Sequence, residues 1–207
     1  MSQIETGVRR VLSSPVVYSG FQYLMGAHSG WQRLVNDYIR PFVGARVLDV
    51  GCGPADLLGY LHDVEYWGYD ISADYIAHAR QKYGARGHFV CGLLTAAEVS
   101  RMPEFDRVVL SGVLHHLDDD AAHELLRLVR RVLKPEGHLV TVDPCLVDGQ
   151  NPVARFLIER DRGQNVRTEA GYADLVKPVF GRCIMEIRHK AWIPYTHCYM
   201  VCSAGAQ

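Results

Sequence analysis

The chain has 207 residues, 48% hydrophobic and 22% charged, the proportions of one globular domain rather than of a disordered, collagen-like or low-complexity chain. Its 22 Lys and Arg against 23 Asp and Glu leave a formal charge of −1, which gives no bulk attraction for a phosphate backbone or an anionic bilayer. No window is apolar for long enough to span a membrane, and MSQIETGVRR has no apolar core of a secretory signal. The expectation is a cytoplasmic protein with neither nucleic-acid nor membrane partners, its oligomeric state open.

Residues 1–45 read as helical, with Val16, Val17, Tyr18, Phe21, Tyr23 and Leu24 as an apolar-aromatic set. Pro15 after Ser13 and Ser14 suggests two short helices, serving either as a lid or as an ordinary core face. A strand at 46–50 ends at Gly-Cys-Gly-Pro, and a helix can open over 56–61. Strand 65–70 follows, then a helix capped by Ser72 and running to about Tyr83. Next come strand 87–91, a short helix at 95–101 and strand 105–112. Asp118, Asp119 and Asp120 open a helix with Ala122, Leu125, Leu126, Val129, Val132 and Leu133 at a period near 3.6. Lys134, Pro135 and Gly137 stop it before strand 137–144. Two further helices are predicted at 152–162 and 168–180. Strands 182–189 and 196–203 are joined by a link too short for a helical crossover, so they run antiparallel. The architecture is α/β: a doubly wound, mostly parallel seven-stranded sheet with an antiparallel C-terminal hairpin and helices on both faces.

The six cysteines at 52, 91, 145, 183, 198 and 202 contain no Cys-x-x-Cys pair, so zinc-ribbon spacing is absent. Free thiols are expected; Cys198 and Cys202, four apart in a strand, share a face as packing residues.

Val47-Leu48-Asp49-Val50-Gly51-Cys52-Gly53-Pro54 is a buried strand entering a turn whose glycines let backbone approach a ligand. Ligands of open parallel sheets bind beyond the carboxyl ends of the strands. Asp70 ends the next strand, where its carboxylate can accept both ribose hydroxyls; alone it would read as an acid opening a helix. Dinucleotides and S-adenosylmethionine both suit such a nucleoside site. DVGCGPAD, WGYDIS, FDRVVLSGVLHHLDD and LKPEGHLVTVD, in that order, resemble the motifs of class I S-adenosylmethionine-dependent methyltransferases (type 11/12-like), which have a Rossmann-like fold. A Rossmann dehydrogenase is disfavoured because Asp56 replaces the third glycine of G-x-G-x-x-G.

The resemblance implies one domain over 1–207: a lid segment 1–45, a cofactor core 46–144, an acceptor-side helical insertion 145–180 and a strand pair 181–207. It places Asp49, Gly51, Cys52 and Gly53 along the methionine part of S-adenosylmethionine, Asp70 on the ribose, Ile71 on the adenine, and Ser111 and Gly112 at the cofactor's amino group. Many relatives carry an acid after the third strand; here Cys91-Gly92-Leu93-Leu94 leaves Gly92 and Leu93 as adenine-side residues. The product would be S-adenosylhomocysteine.

Methyl transfer from an activated sulfonium needs alignment and exclusion of water, and a base only where the acceptor loses a proton. His115 and His116 are the candidates; in the plainer reading they pack and bind backbone. A paired histidine metal site is the other possibility, but no third ligand is evident nearby and no metal is expected. Arg160, Arg162 and Arg167 are placed to clamp an anionic acceptor, or else form a solvated charged loop. Tyr195 and His197 are placed near Asp143, whose carboxylate would orient an acceptor or a histidine, or else they are packing and hydrogen-bonding residues at a strand end, the reading favoured; Tyr18 and Tyr23 are lid candidates. The expected function is methylation of a small, anionic metabolite, with a hydroxyl acceptor favoured. The alternatives are nitrogen or carbon acceptors and a non-catalytic cofactor-binding regulator.

Overall fold

The computed structural model describes residues 27–159, 163–190, 195–203 and 205. Helix α1 (Ala27–Arg33) runs into a π-helical stretch, Leu34–Ile39, which ends where Arg40 turns left-handed at φ 46°. The core then alternates β1 (Arg46–Val50), β2 (Glu65–Asp70), α2 (Ala73–Tyr83), β3 (Gly87–Cys91), α3 (Ala96–Val99), β4 (Phe105–Ser111), α4 (Asp119–Val132) and β5 (Leu133–Leu146). After it come α5 (Pro152–Glu159), β6 (Arg167–Thr168), α6 (Glu169–Val176), β7 (Arg182–Lys190) and β8 (Tyr195–Ser203).

The strands stand in the order β3-β2-β1-β4-β5-β8-β7. β1 to β5 are parallel, and β8 is antiparallel to both β5 and β7. The order reverses between β1 and β4, which opens a crevice at their carboxyl ends, where such sheets bind ligands. Alternation along the strands divides the core into two layers. Leu48, Val108, Leu110, Leu139 and Met200 face α4 and α6, against Leu126, Val129, Tyr172 and Val176. Val47, Tyr66, Val109, Val140 and Tyr199 face the other way, against Ile39, Leu57, Leu58 and Ile76.

The predicted helix at 56–61 is a short 3-10 helix, Asp56–Tyr60, entered from a left-handed Ala55 and ended where Leu61 becomes extended. Asp118 caps α4 by accepting the Ala121 N–H at 2.9 Å, which satisfies one of the four orphan donors of its first turn. β5 begins at Leu133, four residues before the predicted start, because the chain leaves α4 already extended. Gly137 lies so close to β4 that a Cβ there would stand 2.9 Å from the Phe105 carbonyl. An eighth strand, the two-residue β6, pairs with the carboxyl-end extension of β5.

The expectation of free thiols is corrected at one pair. Cys183 and Cys202 are direct partners across the β7/β8 ladder, with Cα atoms 4.1 Å apart, and form a disulfide. Cys52, Cys91, Cys145 and Cys198 are free. No described helix is long and apolar enough to cross a membrane.

Candidate active site

The turn after β1 is held by its own backbone. Gly51 and Cys52 donate their N–H groups to the Tyr69 carbonyl at 2.7 and 3.0 Å. Gly51 has φ +77° and Gly53 φ +55°; a Cβ on Gly51 would stand 2.5 Å from Val113 Cγ2, whereas one on Gly53 would meet open space. Asp70, at the carboxyl end of β2, laces this turn to the next helix: Oδ2 accepts the Gly53 N–H and Oδ1 the Ser72 N–H, both at 2.8 Å. Burial raises the Asp70 pKa, and these two N–H groups oppose the rise. Beyond the ends of β2 and β3 stand two exposed apolar side chains, Ile71 at 50% and Leu93 at 54% exposure. Gly92 between them donates to the Asp70 carbonyl at 2.9 Å, with φ +155°. A fixed carboxylate beside two bare aliphatic side chains suits a ribose and a flat base.

Asp49 lies beneath the turn, 2% exposed, its Oδ2 accepting the Tyr66 hydroxyl at 2.7 Å. Burial pushes its pKa up to about 7, with repulsion from Asp70 adding and the Tyr66 bond opposing. The Cys52 side chain turns into the buried layer, where a Cβ on Gly68 would stand 2.9 Å from its Sγ. Burial drives that thiol's pKa far upward, and its Sγ stands 3.5 Å from the Gly53 carbonyl.

Past β4, Gly112 (φ +71°) donates to the Val142 carbonyl at 2.8 Å, and Leu114–His116 make a 3-10 turn. His115 is 5% exposed and meets Asp143, on β5, twice: through Nδ1 at 2.8 Å and through its backbone N–H at 3.2 Å, both to Oδ1. Its carbonyl accepts the Asn165 N–H at 3.0 Å. Gly163 abuts the ring edge; a Cβ there would fall 2.6 Å from the His115 carbonyl oxygen and 2.8 Å from Cγ, and would overlap Cδ2. The His116 ring lies over that of His115, centroids 4.1 Å apart.

Three acceptor-side expectations change. Asp143 is fully buried, so it positions His115 and is not itself offered to an acceptor; its Oδ2 has no hydrogen-bond partner among the described residues. Arg167 is spent on the histidine turn. It donates to the Leu114 and Leu117 carbonyls at 3.0 and 2.8 Å, to the Asn165 carbonyl at 2.9 Å and to Asp119 at 2.6 Å. The carbonyl-rich end of a helical turn draws a guanidinium inward, so Arg167 is not left to clamp an anion. Tyr195 and His197 lie at the start of β8 with ring centroids 5.0 Å apart. Asp143 stands opposite Cys198 and Pro144 opposite His197, which puts Tyr195 and His197 on the other face of the sheet from Asp143. Arg160, Arg162, Tyr18 and Tyr23 lie outside the described residues. Tyr66, Gly163 and Asn165 were not singled out from the sequence. The only trace of Gly163 there is a lone glycine inside a run of charges. No cluster of three metal-ligating side chains occurs among the described residues.

Residues 47–137 match the family model described as a methyltransferase domain. Among curated proteins the chain is 33% identical over 120 residues to the probable non-canonical nonribosomal peptide synthetase CymA of Salinispora arenicola, covering 55% of this chain and 2% of that protein. It is 29% identical over 152 residues to an O-methyltransferase of Pyrenophora dematioidea, covering 65% and 56%. The chain thus spans no more than 56% of the length of either relative. Among solved structures, a TehB-like SAM-dependent methyltransferase from Corynebacterium glutamicum superposes with TM-score 0.63 at 19% identity, over 92% of this chain and 98% of that one. The matched span opens on the glycine-turn strand and reaches into β5, within a mostly parallel sheet that has the antiparallel C-terminal closure expected from the sequence. Residues 47–137 are thus similar to a methyltransferase domain, and the fold around them is that of the superposed structure.

Proposed function

We propose that the chain transfers the methyl group of S-adenosylmethionine to a hydroxyl of a small molecule, with His115 receiving the acceptor's proton. The observation that carries this reading is the buried Asp143 carboxylate on His115 Nδ1. An ionised carboxylate can only accept, so Nδ1 bears the hydrogen and Nε2 keeps its lone pair. The same buried negative charge steadies the imidazolium once a proton arrives. The cofactor, when bound, supplies an activated methyl group. Asp70 is suited to its ribose, Ile71 and Leu93 to the faces of its adenine, and the open space over Gly53 to its amino-acid end. Val113 rests on Gly51 while Gly112 lies against the His115 ring, its would-be Cβ 3.6 Å from Cε1. One short loop therefore joins the glycine turn to the histidine. Burial of the ring keeps bulk water from the proton transfer. The curated relative named as an O-methyltransferase supports a hydroxyl acceptor. With Arg167 committed to the protein, the reading commits to a hydroxyl and not to a negative charge.

The test is a screen of hydroxylated small molecules with S-adenosylmethionine, read by mass spectrometry for methylated product and an equal amount of S-adenosylhomocysteine. For any substrate found, His115→Asn and Asp143→Asn should lower turnover by about 10²–10⁴ while calorimetric cofactor affinity stays within about twofold. Undiminished turnover in His115→Asn would exclude the proton-accepting role and point to an acceptor with no proton to lose.

A further inference from the structure

The reading above leaves the acid beneath the glycine turn without a task. Asp49 is two residues before Gly51, nearly sealed from water, with one carboxylate oxygen on Tyr66 and the other, Oδ1, without a hydrogen-bond partner among the described residues. The groups facing it are all acids. β2 contributes Tyr66 and Asp70, and the turn contributes the Cys52 thiol. Tyr83 of α2 acts on Tyr66 from behind. The rest of that layer is mostly apolar, with Leu57 and Leu58 from the 3-10 turn, Ile76 and Ala79 from α2, and Ile39 from the π-helical stretch; its other titratable members, Tyr38 and Tyr199, stack on each other, with Glu186 and Arg188 acting on both. A carboxylate so placed meets desolvation and repulsion together, with no cation among the described residues shifting its titration.

We propose that Asp49 senses the charge of the cofactor: it ionises when a sulfonium is held at the glycine turn and stays protonated when the turn is empty or holds the uncharged thioether product. The inference rests on the cofactor reading given above and adds to it a means of telling methyl donor from spent product. A cation at the turn would supply the positive charge that the described surroundings of Asp49 lack, and in a dry layer the attraction is weakly screened. Binding of the donor then expels a proton, so donor affinity climbs with pH until Asp49 is ionised in the free protein. That point is near neutrality, where burial has moved its titration to about 7. The thioether expels no proton from Asp49.

The experiment is isothermal calorimetry of S-adenosylmethionine and S-adenosylhomocysteine across neutral pH, in two buffers of different ionisation enthalpy so that released protons are counted. It is run on the wild type and on Asp49→Asn, which keeps an acceptor for Tyr66 and loses the charge. Each ligand's own amino group titrates alike in both proteins and cancels between them. The expected result is a donor-to-product affinity ratio that rises about tenfold from below to above neutrality in the wild type, with proton release. In Asp49→Asn the ratio is flat and product affinity is retained. Tyr66→Phe removes the one bond that favours the charged form and should move the rise to higher pH. A flat ratio in the wild type, or an unchanged rise in Asp49→Asn with product still bound, would overturn the sensor. Binding of neither ligand to the wild type would overturn the cofactor reading beneath it.

Discussion

Gly163→Ala tests whether the histidine turn is as closely fitted as its contacts say. The added Cβ would stand 2.6 Å from the His115 carbonyl oxygen and 2.8 Å from Cγ of its ring, about 1 Å inside ordinary contact distance. Two adjustments are open. The ring swings away and loses the 2.8 Å bond to Asp143, leaving a fully buried carboxylate without its partner. Otherwise the loop backs off and strains the Asn165 bond at 3.0 Å and the Arg167 bonds to Leu114 and Leu117. Overpacking costs about 1–3 kcal/mol, and loss of a hydrogen bond to a charged group about 1.5–3 kcal/mol. Either route therefore destabilises by about 2–3 kcal/mol, a fall in Tm of about 4–12 °C for a domain of this size. Differential scanning calorimetry reads the stability, and NMR of the His115 Nδ1 proton reads the geometry. Gly181→Ala is the control, since a Cβ there meets nothing within 4 Å. A Gly163→Ala protein that melts with the control and keeps the His115 resonance would refute the fit.

Three further outcomes follow from single features. Arg167→Leu removes the donors held by the Leu114 and Leu117 carbonyls and by Asp119; it should cost about 2–3 kcal/mol, measured by urea unfolding, and should weaken acceptor turnover more than cofactor binding. Reducing the Cys183–Cys202 bridge, which closes a separation of 19 residues, should cost about 3 kcal/mol and lower Tm by about 6–12 °C, read with and without a thiol reductant. Asp49→Asn should be stabilising above neutral pH. The folded-state titration of Asp49 lies near 7, above its ordinary 3.8, so the unfolded chain loses this proton first and stability falls as pH rises through that window. The gain from Asn is absent below about pH 4 and reaches about 4 kcal/mol above neutrality, measured as the difference in unfolding free energy at acidic and at alkaline pH.

Strands β1, β2 and β3 are at 46–50, 65–70 and 87–91 as predicted, because each is a short apolar run ended by a turn residue. Asp143 was legible as a carboxylate at the active edge of the sheet, orienting an acceptor or a histidine; that the histidine is His115, on the loop after β4, was not. The face of β8 was not. Tyr195 and His197 are set by a register that puts Cys198 opposite Asp143, and a one-residue slip would have reversed them. The disulfide depended on the same kind of unknown, the register of the β7/β8 hairpin. Arg167 and Gly163 were hidden for a different reason. A charge run has no periodicity from which to tell an arginine turned inward to carbonyls from one left in water, nor a glycine required by a neighbouring ring from one in an open turn.

β8 follows β7 in the chain yet stands between β5 and β7 in the sheet. A ribosome therefore completes β7 before its neighbour exists. Until residues 195–203 emerge, β5 presents an unpaired edge with Leu139, Val140 and Val142 behind it, and β7 has nowhere to dock. The five parallel strands must persist in that state as a half-closed sheet, the kind of edge that pairs with other chains. Only then does the late strand slide between the two and seal both ladders at once. One late strand thus decides two ladders of the sheet, and any change that delays its docking leaves both unmade.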